Sequence, residues 1–149
     1  MNNEPVDILV VEDNDNERDS IVAALQETIP YVQIAAVHDG EEALDFLFAR
    51  GVYRNRAGED APTMILLDLS MPGADGFSVL GQIRSLERQD SLTLTPVVMF
   101  TDSQDNADIK ESYRCGANSY VIKPVNFPDF RIAVEKIGQY WMDYNQASS

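Results

Sequence analysis

Cysteine, histidine and positive charge are all scarce in this chain. Cys115 stands alone, which excludes an internal disulfide, and its place before Gly116 suits a small packing residue better than a reactive thiol. His38 is the only histidine and lies in a turn with no cysteine nearby, so a metal or phosphotransfer role for it is disfavoured. Eleven Lys and Arg face 25 Asp and Glu, a formal net charge of -14. That balance argues against nucleic-acid binding, whose affinity comes largely from basic side chains, and favours cationic partners or ions. No apolar run approaches membrane-spanning length, and the opening MNNEPVD is unlike a signal peptide. The expectation is a soluble cytoplasmic protein with no membrane partner. No phosphate-cradling Gly/Ser/Thr-rich loop follows the first apolar run. The acidic cluster found there instead would repel a flavin phosphate.

What the chain does have is order. Its 149 residues fit one domain with a real core, taken as residues 6–144 followed by a short polar tail. Short apolar runs at Val6–Val11, Gln33–Val37, Met64–Leu67, Pro96–Phe100 and Ser119–Ile122 read as strands. Between and after them lie helical patterns. The first opens with a capping-box-like Asn14 and Glu17 and turns Ile21, Leu25 and Ile29 inward; the second carries Ala43, Leu44, Leu47 and Phe48. Phe77, Leu80 and Ile83 mark the third helix, and a fourth runs from about Asp105 to Cys115. The fifth, about Asn126 to Tyr144, aligns Phe130, Val134, Ile137 and Trp141. Gly51–Pro62, with Arg54 and Arg56 beside Tyr53, is an unusually long connection that reads as a solvated loop, with the two arginines a second candidate contact for a partner.

Five strands alternating with five helices predict an α/β fold: a doubly wound, five-stranded parallel sheet with right-handed crossovers. By analogy its strand order is the flavodoxin-like 2-1-3-4-5, a (βα)5 arrangement. In such sheets ligand chemistry gathers beyond the carboxyl ends of the strands. Glu12 and Asp13 close the first strand, Asp68 the third, Thr101 the fourth, and Lys123 with Pro124 the fifth.

These strand ends, together with the segments DLSMPGADG and GANSYVIKPV, resemble the receiver domain of two-component response regulators over Val6 to about Tyr144. The long segment before the third strand, the phrase ILLDLSMPGADG and the closing Tyr140-Trp141 are further similar to stand-alone receivers that serve phytochrome-type sensor kinases. Two carboxylates 4 Å apart repel by roughly 4 kcal/mol at an effective dielectric near 20. Glu12, Asp13 and Asp68 therefore call for a divalent cation, and an oxygen-only ligand set suits Mg²⁺. The resemblance implies that Asp13, Asp68 and the Ser70 carbonyl bind the metal directly, with Glu12 acting mainly through water. It makes Asp68 the phosphoacceptor, charged by the phosphohistidine of a sensor histidine kinase. It gives Lys123 and Thr101 to the phosphoryl oxygens, Thr101 and Tyr120 to a switch, and a cis bond to Pro124.

Some positions depart from that pattern or add to it. Asp102 stands where receivers usually carry a small residue, and a carboxylate there would oppose an incoming phosphoryl group unless it turns to water or caps the next helix. Ser70 and Ser103, at positions that govern water access in the family, offer no group to orient attacking water, so slow self-hydrolysis is expected. Tyr140, Trp141 and Tyr144 give the last helix two aromatic faces. They are a candidate interface for a partner or for a homodimer through helix four, strand five and helix five. The favoured reading is a single-domain response regulator that signals through protein contacts and catalyses only its own phosphorylation and dephosphorylation. The alternative is a pseudo-receiver with weak or no phosphorylation because of Asp102. An aspartate-nucleophile phosphatase of the haloacid dehalogenase type needs a second acid where Ser70 stands, and a flavodoxin-like redox role rests on fold alone.

Overall fold

A computed structural model describes residues 5–71, 73–87 and 90–147, so Pro72 of the loop after the third strand and the last two residues of the tail lie outside the described residues. Five parallel strands form one sheet in the order β2-β1-β3-β4-β5: β1 Ile8–Val11, β2 Ile34–Val37, β3 Met64–Leu67, β4 Val97–Thr101 and β5 Ser119–Ile122. Every residue of β1, β3 and β4 is buried, as expected of strands covered on both faces, whereas the edge strands β2 and β5 are partly open. The predicted fold class and strand order are both present.

Alternation along the central strands divides the core into two layers. Leu9, Val11, Ile65, Leu67, Val97 and Met99 face α2 (Gly40–Leu47) and α3 (Gly76–Arg84). Ile8, Val10, Met64, Leu66, Val98 and Phe100 face α1 (Asp15–Thr28) and α5 (Phe127–Gln139). Ile21, Leu25 and Ile29 turn inward as their spacing predicts. At Gly138 a β-carbon would lie 2.6 Å from Leu25 Cδ2, so the absent side chain is what lets α5 settle on α1. By contrast, α4 (Asn106–Arg114) buries only Ser112. It rests lightly on the sheet.

Each helix starts on a side chain that accepts a hydrogen bond from its first turn: Asn14, Asp39, Asp75, Asp105 and Asn126. Asp105, not Asp102, caps α4. Two expectations need correcting. Gly51–Arg56 is solvent-facing as expected but forms a 3-10 helix, because Phe46, outside the predicted apolar stripe, is buried and gives it an anchor. The Arg56 guanidinium lies 3.7 Å from the Phe46 ring centroid and donates to the Phe46 carbonyl, while Tyr53 meets the same ring edge-on at 5.2 Å. The last helix stops at Gln139, and Tyr140–Tyr144 continue as a single π-helical turn.

Candidate functional site

Register brings the acidic residues together. Val11 of β1 pairs with Leu67 of β3, so the next residue of each chain, Glu12 and Asp68, emerges side by side at the sheet's carboxyl edge. The Asp68 N–H donates to the Val11 carbonyl at 3.0 Å and the Glu12 N–H to the Val37 carbonyl at 3.1 Å, so both backbones are fixed before their side chains leave the sheet. Asp13 follows at the surface. One carboxylate oxygen from each of Glu12, Asp13 and Asp68 lies within 4.8 Å of the others.

The opposite wall comes from β4 and β5. Thr101 pairs with Ile122, and the Lys123 N–H donates to the Thr101 carbonyl at 2.8 Å, which aims the Lys123 side chain back across the carboxylates. Its ammonium donates to Glu12 Oε1 at 2.6 Å and Asp68 Oδ2 at 3.3 Å, and lies 3.2 Å from Glu17 Oε1. Lys123, Glu12 and Asp68 are only 5, 2 and 7 % exposed, so these charges interact with little screening. Burial works to lower the Lys123 ammonium, but the Glu12 hydrogen bond and the three negative charges outweigh it and hold the group above its ordinary value. Burial likewise raises the Glu12 carboxyl, helped by the charge of Asp68 and opposed by the bonds from Lys123 and Asn14; the balance is upward.

A cavity of about 460 Å³ opens over these groups, lined by Glu12, Asp13, Asn14, Glu17, Asp68, Ser70, Thr101, Asp102, Ser103 and Lys123. Every residue expected to hold a metal or a phosphoryl group is therefore on one wall or another of it. The donor set fits a hard divalent cation: Glu12, Asp13 and Asp68 offer carboxylate oxygens, Ser70 lines the same cavity, and the three crowded acids face a single lysine. Glu12 is the least available of them, since its two oxygens already accept from Lys123 Nζ and, at 3.1 Å, from the Asn14 N–H.

Backbone proximity shapes the loop that carries Ser70. A β-carbon on Gly76 would sit 2.6 Å from the Asp68 carbonyl oxygen, and one on Gly40 would collide with the carbonyl of Ala74. Only glycine lets this loop fold against β3 and the start of α2.

The neighbouring positions divide. Thr101 is buried, and its hydroxyl oxygen lies 3.4 Å from the Ser103 N–H, which donates to it. The Ser103 hydroxyl donates to Asp108 Oδ2 at 2.6 Å, so it is committed to α4. Tyr120 stands outside the cavity and donates its hydroxyl to the Ser103 carbonyl at 2.9 Å, tying β5 to the loop beyond Thr101. Asp102 is exposed at the rim, and among the described residues none hydrogen-bonds its carboxylate.

Pro124 requires a correction. Among the described residues no peptide bond is cis, so Lys123–Pro124 is trans. The trans form is the ordinary preference by about 0.5–1 kcal/mol, and in it Lys123 reaches both Thr101 and the acids without help from the rarer isomer. Tyr140, Trp141 and Tyr144 lie far from this edge: Trp141 lines a separate cavity with Thr63, Pro96 and Asn118, which precede β3, β4 and β5. Tyr140 and Tyr144 are 51 and 73 % exposed, while Trp141 packs against the core.

Glu17 is the site residue that sequence reasoning missed. The spacing Asn14 to Glu17 reads as a capping box, and half of it forms: the Glu17 N–H donates to Asn14 Oδ1 at 2.9 Å. The other half does not, because Glu12 takes the Asn14 N–H and the Glu17 carboxylate goes to Lys123.

Comparisons with known proteins agree with this geometry. The model of the response regulator receiver domain matches residues 8–135. The probable methanogenesis regulatory protein FilR2 of Methanothrix harundinacea is 38% identical over 144 residues, covering 97% of this chain and 88% of that protein. Response regulator Rcp1 of Synechocystis is 32% identical over 141 residues, 95% of this chain and 92% of Rcp1. The Mn²⁺-bound crystal form of Rcp1 superposes with a TM-score of 0.82 at 30% identity, over 97% of this chain and 100% of that one. The phosphorylated cyanobacterial phytochrome response regulator RcpA superposes at 0.86 with 33% identity, over 98 and 100% of the two chains. With its sheet order, its acidic edge and these relatives in agreement, the chain belongs to the family of response regulator receiver domains.

Proposed function

We propose that this receiver accepts a phosphoryl group on Asp68 from the phosphohistidine of a sensor kinase and passes the signal on by changed protein contacts. The observation that carries this reading is the meeting of Glu12, Asp13 and Asp68 within 4.8 Å while Lys123 reaches Asp68 from the other side. In the transfer, an Asp68 carboxylate oxygen forms a bond to phosphorus, the P–N bond to the kinase imidazole breaks, and the leaving nitrogen keeps the electron pair. A divalent cation, Mg²⁺ by our reading, would be held by Asp13, Asp68 and the Ser70 carbonyl, and would supply charge neutralisation of the phosphoryl oxygens. Lys123 then holds oxygens on the side away from those ligands, and the Thr101 hydroxyl donates to another. Tyr120, through Ser103, links that event to the loop before α4, whose light attachment suits a movable surface.

Because RcpA is a phytochrome response regulator, a phytochrome-type kinase is the proposed donor. Residues 6–144 are the proposed functional unit, working in the cytoplasm, with the exposed Tyr140 and Tyr144, α4, β5 and α5 as the candidate surfaces for a partner or second copy. The test is incubation with Mg²⁺ and candidate phosphorylated kinases, followed by mapping of the acid-labile phosphate. Label on Asp68 is expected, with none on an Asp68→Asn variant. Label elsewhere, or none with any donor, refutes the assignment.

One observation favours a second reading, a receiver that binds partners with little turnover: the unpaired Asp102 carboxylate on the rim. Beryllofluoride and acetyl phosphate with Mg²⁺ separate the two, since a turnover-deficient receiver takes up neither.

A further inference from the structure

We infer that Glu17 is a positioning residue that holds Lys123 back, an internal anion that an incoming phosphoryl group must displace before the lysine can serve it. The inference rests on the phosphoacceptor reading of Asp68. Three facts carry it. The Glu17 carboxylate lies 3.2 Å from the Lys123 ammonium, as near as that of Asp68 at 3.3 Å. Its usual task at the third position of a helix, reaching back to the cap residue's N–H, is taken over by Glu12. Its backbone is nonetheless pinned by Asn14 Oδ1, so the side chain cannot drift away with a loose helix end.

The consequence follows from valence. An ammonium has three protons to donate; here two go to Glu12 and Asp68, and the Glu17 carboxylate pairs with the same charge at 3.2 Å. A phosphoryl group arriving on Asp68 needs at least one of them. Glu12 is buried at 2 % exposure and 2.6 Å from the ammonium, whereas the Glu17 side chain is 31 % exposed and has water to turn to. Glu17 is therefore the partner that yields. While it stays, it both occupies the lysine and presents negative charge to an anionic donor. The structure thus contains a brake on phosphorylation that is separate from Asp102 and acts through Lys123.

Glu17→Gln keeps the shape and the helix start but removes the charge. Glu17→Asp keeps the charge and withdraws it from Lys123 by one methylene. Both variants are expected to label with acetyl phosphate and Mg²⁺ about tenfold faster than the unaltered protein, and to bind beryllofluoride more tightly, with unchanged unfolding temperature. A purely structural role would move the unfolding temperature and leave the beryllofluoride affinity alone, which would overturn the inference. So would acceleration in Glu17→Gln with none in Glu17→Asp, because that pattern reports charge alone and not capture of the lysine. If the unaltered protein takes no label on Asp68 and binds no beryllofluoride, the phosphoacceptor reading fails and this inference falls with it. A labelled protein with insensitive variants sinks the inference alone.

Discussion

The Lys123 ammonium and the Glu12 carboxylate form a buried pair 2.6 Å apart that bridges the ends of β5 and β1, two strands separated by β3 and β4 in the sheet. Among the described residues nothing else in the cavity offsets the charge of the acids, since Lys123 is the one lysine or arginine lining it. Replacing Lys123 by Met keeps the length of the side chain and leaves buried carboxylates without a counter-charge. A loss of about 3–5 kcal/mol in urea unfolding with EDTA is expected. Added Mg²⁺ should recover part of it, because the cation takes over the neutralisation. An equal loss with and without Mg²⁺ would show that the acids do not share a metal.

Asp102 gives the second prediction. A carboxylate 6 Å from a phosphoryl dianion opposes it by roughly 5 kcal/mol at an effective dielectric near 20. Asp102 is exposed, so water and salt reduce that figure to on the order of 1 kcal/mol. Asp102→Ala should therefore speed acetyl-phosphate labelling by about fivefold at low ionic strength and by less in 0.5 M salt. A rate that does not change, or an effect indifferent to salt, shows that the side chain has turned away from the pocket.

The third concerns the Tyr53–Glu42–His38 network, none of whose residues lines the cavity of the acids. Tyr53 donates its hydroxyl to Glu42 Oε2 at 2.6 Å, and the His38 N–H donates to Oε1 at 3.0 Å. Burial pushes the Glu42 carboxyl up, but these bonds and the imidazole of His38 outweigh it and hold it below the ordinary 4.5. A carboxyl so lowered contributes stability above pH 4.5 that is lost as the pH falls through its value in the folded protein. Tyr53→Phe keeps the ring against Phe46 and removes the donor. It should cost about 1 kcal/mol at pH 7, and the gap should close as the pH falls from 4.5 through the lowered Glu42 value. Burial and the same bond push the Tyr53 phenol from the ordinary 10.0 up to about 12, so a tyrosine component of the absorbance titration should appear near that value and be lost in a Tyr53→Phe variant.

Fold and site were legible in the sequence to different depths, for identifiable reasons. The five strands, and the placing of Glu12, Asp13, Asp68, Thr101 and Lys123 at their carboxyl ends, were readable because period and strand ends are local signals, whereas the strand order came by analogy with known doubly wound sheets. Arg56 was not, since its use depends on Phe46, a residue outside the apolar stripe whose burial appears only when the 3-10 helix closes over it. Glu17 was misread for a subtler reason: its spacing from Asn14 is right for a capping box, and only the competition from Glu12 diverts its side chain. Pairings 111 residues apart, such as Glu12 with Lys123, leave no mark in local pattern. For Pro124 the family resemblance supplied an isomer that the geometry of Lys123 does not require.

The last prediction tests how the loop bearing Ser70 is held. Gly40 begins α2, and its α-carbon faces the Ala74 carbonyl so closely that no β-carbon fits. The obstacle is backbone, not the end of a flexible side chain, so it can relax only by moving α2 or the loop. α2 is anchored by the buried Ala43, Leu44 and Phe46 and by its Asp39 cap. The loop is the softer partner, tied to the helix that follows by the Gly76 N–H on the Leu69 carbonyl at 2.9 Å. Gly40→Ala should therefore displace the loop and cost about 1–3 kcal/mol in urea unfolding, the usual range for overpacking. Because the Ser70 carbonyl moves with it, Mg²⁺ affinity measured by calorimetry should fall together with stability. Gly81, whose added β-carbon meets nothing within 4 Å, is the control: Gly81→Ala lies mid-helix and should stabilise α3 by a few tenths to 1 kcal/mol without touching Mg²⁺ affinity. Equal effects of the two substitutions on the metal would mean that the loop is placed by something other than its contact with Gly40.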